Sequence, residues 1–270
     1  MIHLVRSEVF RLTHRMMPRV MLLLMAVMLI ATHLLLWSTS GSLSESDLAR
    51  QEDHLRLANA PKYGMDIAYQ VGVLIVVILA ASSIATEYAW GTIRTVLART
   101  GHRYAFLFAK LSAIGIFIVG TAIVGAFGVA IGSLLVTAFG GLEWDLGDAF
   151  LERAGVAPLR MLIVLLPYAS LSFLVALWSR TTAAGIVVVV VAFYAEVLLM
   201  PLFRSAGAFS WFPENVLIYE NIKAVLETNA IAPDPSLPNA WLGAGILAAY
   251  TAIFLAAATW RFGSRDVTLN

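Results

Sequence analysis

Six apolar runs, each long enough to cross a lipid bilayer, constrain this chain more than anything else in it. They are Val20 to Trp37, Ile67 to Ala85, Ala105 to Phe139, Met161 to Trp178, Ala183 to Phe203 and Trp241 to Trp260. A membrane-crossing helix needs about 20 mostly apolar residues, and inside hydrocarbon each backbone N–H and C=O must be satisfied within its own segment. The runs therefore predict an all-α membrane protein with six transmembrane helices. The third run is too long for one straight crossing and too short for two crossings plus a turn. It reads as a single helix starting on the cytoplasmic side, where Lys110 lies. Composition agrees. The chain is 60% hydrophobic and 13% charged, where a soluble domain is roughly half apolar and a quarter charged. Residues 1–270 read as one transmembrane domain.

Charge sets the expected orientation. With the N-terminus inside, the inner segments hold eleven basic and three acidic residues, and the outer segments seven basic and thirteen acidic. Lys and Arg concentrate on the cytoplasmic side of membrane proteins, so both termini are expected in the cytoplasm. Trp37, Trp178, Trp241 and Trp260 fall at run ends, where interfacial aromatics belong. The stretch before Val20 is too long, and the run after it too long, for a cleaved signal peptide, and no A-x-A site follows. It reads as a retained first span.

Residues 1–19 then form a cytoplasmic amphipathic segment. Ile2 to Arg15 can be helical, with Val5, Val9 and Leu12 on one stripe and arginines facing membrane lipid of the anionic inner leaflet. The same arginines also serve simply as a topogenic charge cluster. Residues 87–104 form a cytoplasmic loop, Arg180 lies in a tight inner turn, and 204–240 form an extracytoplasmic segment. Within the last, Ala208 to Glu227 mixes aromatics with charges. It reads as a re-entrant or interfacial helix, ended by Pro233 to Pro235 and Pro238. Ser38 to Asp66 reads as a polar outer segment with turn signals. The expected location is the cell membrane, multi-pass, as in a bacterial inner membrane.

Chemistry is sparse. The chain has no cysteine, so disulfides and thiolate metal sites are excluded. It has no G-x-x-x-x-G-K-[ST], so it cannot hold ATP by a P-loop. His3, His14, His33, His54 and His102 show no metal-ligand spacing. No catalytic, metal or cofactor site is expected, and no nucleic-acid partner. Glu196 is the one carboxylate inside an apolar run. It lies about 24 Å up its helix from the turn at Arg180, at about 1.5 Å per residue. Two readings stand: a snorkelling or hydrogen-bonded structural acid, or a residue of a translocation path.

Between the second and third runs stands Glu87-Tyr88-Ala89-Trp90-Gly91-Thr92-Ile93-Arg94. If this stretch is one helix, Glu87, Gly91 and Arg94 share a face. That face carries a carboxylate, a bare backbone hollow and a guanidinium, as a docking element would. Trp90, Ile93 and Leu97 fall on another face. The competing reading is a basic loop that only sets topology.

With Ser83 to Thr86 before it, and Thr95-Val96-Leu97 and Lys110-Leu111 after it, this stretch resembles the E-[YF]-x-x-G-T-x-R pattern. That pattern follows the second span in type-2 ABC exporter membrane subunits. Ser7-Glu8-Val9-Phe10-Arg11-Leu12 is similar to that family's amphipathic N-terminal helix, and Phe262-Gly263-Ser264-Arg265-Asp266-Val267 to its C-terminal ending. The resemblance implies a non-enzymatic permease subunit that works as a homodimer or with a sister permease. It implies a coupling helix in which Glu87, Tyr88, Gly91, Thr92 and Arg94 meet a separate ABC ATPase subunit. ATP and Mg would sit on that partner. Two other functions are compatible with the chain: an ion- or proton-coupled transporter using Glu196, and a membrane partner of an ATPase that moves no substrate.

Overall fold

The computed structural model describes residues 2–40, 44–93, 103–142, 144, 150–205, 211–227, 237 and 239–264. Among the described residues the regular structure is helical: α1 (Ile2–His14), α2 (Met16–Thr39), α3 (Glu45–Leu55), α4 (Ala60–Ala89), α5 (Arg103–Gly140), α6 (Phe150–Ser179), α7 (Thr182–Ser205), α8 (Trp211–Val216), α9 (Ile218–Glu227) and α10 (Ala240–Ser264). Six of them, α2, α4, α5, α6, α7 and α10, are long and apolar enough to cross a membrane. The chain is a multi-pass membrane protein. Each expected apolar run lies within one helix, and the third run is the single 38-residue helix α5. At about 1.5 Å per residue it is roughly 57 Å long, against a hydrocarbon core of about 30 Å.

Helices α4 and α6 form the centre of the bundle. Their contact is the most extensive in the fold, and the Ser172 hydroxyl of α6 donates to the Val77 carbonyl of α4 at 2.7 Å. Met161, Leu165, Tyr168 and Phe173 of α6 are fully buried beside them. Helix α5 packs on α2 through small residues. A Cβ at Gly125, Gly128 or Gly132 would meet Met25 at 3.0 Å, Leu29 at 3.0 Å or His33 at 2.8 Å. Gly128 and Gly132, four residues apart, thus allow close helix approach. Gly115 and Gly120 differ: a Cβ at either would have no atom of the described residues within 4 Å.

Two segments carry structure that apolar run length does not reveal. Helix α3 is capped by the preceding Ser44, whose hydroxyl accepts from the Asp47 N–H. In the aromatic and charged stretch after α7, the described residues form two helices. The second, α9, buries Ile218, Asn221, Ile222 and Val225 and packs on α10. It is set into the bundle. Pro233 to Pro235 and Pro238 lie outside the described residues. At the opposite end, α1 and the end of α10 both meet the first turns of α5. Glu8 pairs with Lys110, and the Phe106 and Phe262 rings stack with centroids 6.1 Å apart.

Candidate functional site

The Glu87–Arg94 stretch is not one helix. Helix α4 ends at Ala89, and Gly91 follows in the left-handed region at φ +66°. Trp90 N–H donates to the Thr86 carbonyl and Gly91 N–H to the Tyr88 carbonyl, closing the last turn. Glycine takes a positive φ without steric cost and is the usual residue just past a helix end. The chain turns helical again at Thr92 and Ile93, and 94–102, with Arg94 and Leu97, lie outside the described residues. The expected shared face is therefore corrected. Glu87 sits in the last turn of α4, not in the first turn of a docking helix, and Gly91 lies past that helix's end.

Glu87 also points inward. It is 1% exposed, and Lys110, on α5, is 2% exposed. Four side chains close a ring. Arg11 donates to Glu87 at 2.6 Å and to Glu8 at 3.0 Å. Lys110 donates to Glu8 at 3.1 Å and to Glu87 at 3.2 Å. Each acid holds both bases, and the formal charge of the ring is zero. The second Glu87 oxygen accepts from the Thr92 hydroxyl at 2.5 Å. An isolated charge buried this deeply costs several kcal/mol, so a complete set of partners is what lets the ring persist. Burial disfavours the Arg11 cation, but Glu8 and Glu87 outweigh it and hold its pKa above the ordinary guanidinium value. The Lys110 ammonium also lies 5.0 Å from the centre of the Phe106 ring.

The ring ties three helices together: α1 through Glu8 and Arg11, α4 through Glu87, and α5 through Lys110. It also pins the chain beyond the Gly91 turn, through Thr92. The amphipathic stripe of α1 is correspondingly not purely apolar, since buried Glu8 lies beside buried Leu12 on its inward side. Among the expected site residues, Glu87 is in the ring and Thr92 donates to it. Half-buried Tyr88 lies beside it, under the Arg180 guanidinium at 5.5 Å. Arg180 itself takes φ 61° in the tight turn between α6 and α7. Among the described residues of the stretch, the tip faces outward. Trp90 is 66% exposed, with the Arg15 guanidinium 5.6 Å from its ring, and a Cβ on Gly91 would meet nothing within 4 Å. Glu8, Arg11 and Lys110 are the residues that sequence reasoning left out of the site. A usable signal existed: a lysine well inside an apolar helical run needs a buried acid.

Glu196 lies elsewhere, towards the other end of α7. Its carboxylate accepts from the Tyr219 N–H at 2.7 Å and the Ile218 N–H at 3.4 Å, and from the Tyr168 hydroxyl at 3.4 Å. These are the first free amides of α9, so Glu196 caps that helix from a neighbouring one. A carboxylate at a helix N-terminus satisfies free donors and meets the positive end of the macrodipole. A cavity of about 400 Å³ lies alongside, lined by Asp66, Tyr69, Phe193, Tyr219 and Lys223 among others. These bonds tie α7 to the start of α9. Glu196→Ala should cost about 0.5–2 kcal/mol, the usual range for a lost cap, while Glu196→Gln, which keeps an acceptor, should cost less. Thermal unfolding of both variants in detergent checks the order.

Residues 49–268 match a family model described as a protein of unknown function (DUF2705). The match includes Glu87, Lys110 and Glu196 and leaves out Glu8 and Arg11. No curated protein matches the chain.

Proposed function

The chain belongs to the DUF2705 family of proteins of unknown function, and we propose that it is the membrane-spanning permease subunit of an ATP-driven exporter. It would be coupled to a separate ABC ATPase subunit and paired with a second permease, either a copy of itself or a sister chain. One observation carries the reading. The exposed tip Trp90–Gly91 stands between two buried residues, Glu87 at 1% and Ile93 at 2% exposure. A coupling element needs this combination: a tip free to be gripped and a root that transmits force into the bundle. The ring supplies the root, because motion of the tip must drag α1, α4 and α5 together. The resemblance of Glu87 to Arg94 to the type-2 exporter pattern supports the same assignment.

In this reading the ring end of the bundle faces the cytoplasm, in keeping with the charge asymmetry, and the protein resides in a bacterial inner membrane. ATP and Mg are held by the partner. Closure of the ATPase pair moves the tips, and the bundles switch between inward- and outward-facing states. Glu196, the acid named for the proton-coupled alternative, accepts from the first amides of α9.

The test is copurification of a stand-alone ATPase subunit with the chain, together with ATP-driven export in vesicles. Trp90→Ala should leave insertion and thermal stability unchanged. It should weaken ATPase association more than tenfold, as loss of a central interface tryptophan typically costs about 2 kcal/mol or more. Gly91→Asn, which tolerates a positive φ, should preserve the fold while adding a side chain at the grip point. Normal ATPase binding and export by both variants would remove the coupling assignment.

A further inference from the structure

A second cavity, about 250 Å³, opens where α1 turns into α2. Its walls are Val9 and Leu12 of α1, Pro18 and Leu22 of α2, and Phe117 and Gly120 of α5. An engineered cavity of roughly 150 Å³ holds a benzene molecule, so this one has room for a stretch of hydrocarbon chain. Arg19 is the one charged residue in its lining. The Arg19 Nε donates to the Thr13 carbonyl at 2.5 Å, which satisfies a free carbonyl at the end of α1. That bond holds the exposed guanidinium at the elbow. Its terminal nitrogens have no acceptor among the described residues. Arg6 is exposed on the same helix as Val9, and Arg15 stands at the bend itself.

We propose that this cavity is a binding slot for one anionic phospholipid, with an acyl chain between α1, α2 and α5 and the phosphate on Arg19. Apolar walls suit the chain. The guanidinium offers paired N–H donors to a phosphate. Basic residues at a membrane surface favour anionic lipid. The bound lipid closes the gap behind α1 and holds that helix against the bundle. The site rests on membrane insertion alone and is independent of the exporter reading.

Gly120 makes the slot testable. Gly120 lines the cavity and a Cβ there meets no protein atom within 4 Å, so Gly120→Leu adds bulk at the slot without a clash at the root of the new side chain, and leucine favours a helix more than glycine does. Gly115 is equally open but does not line the cavity, so Gly115→Leu is the control. The full chain is extracted from bilayers mixing phosphatidylglycerol and phosphatidylcholine, and retained lipid is counted by native mass spectrometry. Wild type and Gly115→Leu should retain one phosphatidylglycerol. Gly120→Leu and Arg19→Gln should each lower that occupancy at least fivefold. In phosphatidylglycerol, wild type should melt at a higher temperature than in phosphatidylcholine, and Gly120→Leu should lose that difference. Equal retention in all four proteins, or equal retention of the two lipids by wild type, would overturn the slot and leave only unspecific boundary lipid.

Discussion

Glu87→Leu should destabilise the protein by about 3 kcal/mol, since removing one partner of a buried ion pair typically costs 3–5 kcal/mol. The lower end is expected because Lys110 keeps Glu8 at 3.1 Å and Arg11 keeps Glu8 at 3.0 Å. What is lost is neutrality: two cations would face one carboxylate, one of them almost fully buried. Lys110→Leu should do comparable harm by leaving Glu87 with Arg11 alone. The double variant Glu87→Leu/Lys110→Leu should be less damaged than the sum of the singles by about 1–3 kcal/mol, because it restores zero net charge with two apolar side chains. Denaturant titration in detergent, followed by circular dichroism, measures all three. Wild-type stability in Glu87→Leu would mean that the ring does not hold α1, α4 and α5 together.

Gly185→Leu is the second large effect. Gly185 begins α7 where it crosses both central helices. A Cβ there would lie 2.9 Å from the Ala176 Cβ, 2.9 Å from the Ala81 Cβ and 2.9 Å from the Ser172 carbonyl oxygen. Each obstacle is backbone or the root of a side chain, so none can rotate away. Overpacking of this kind costs about 1–3 kcal/mol and occasionally more, and a leucine belongs at the top of that range. The shift should also disturb the Ser172 bond to Val77, the polar link between α4 and α6. Gly245→Leu is the comparison: no atom lies within 4 Å of a Cβ there, and stability should be unchanged. The difference in unfolding midpoint between the two variants reads the effect directly.

The spans were legible because a bilayer turns helix existence into a matter of apolar length. Even the ambiguous third run resolves correctly as one helix. The amphipathic N-terminal helix was legible too, from its spacing. The direction of Glu87 was not. Periodicity relates residues within one helix, but the partners of Glu87 are 76 residues before it and 23 after it. A carboxylate near a span end looks interfacial until the neighbouring helices are in place. The break at Gly91 was readable in principle, as a glycine just beyond an apolar run. Reading the stretch as one helix put Gly91 on a shared face instead. The capping role of Glu196 depends on α9 folding back against α7, a tertiary arrangement that no local pattern encodes.

The ionic ring also imposes an order of assembly. Synthesis proceeds from the N-terminus, so Glu8, Arg11 and Glu87 leave the ribosome before Lys110. Until the third span is inserted, the two acids have only Arg11 between them, and α1 has no complete seat on the bundle. Completion of the ring therefore waits for the third span, and a nascent chain halted after α4 lacks the Lys110 partner that both acids hold.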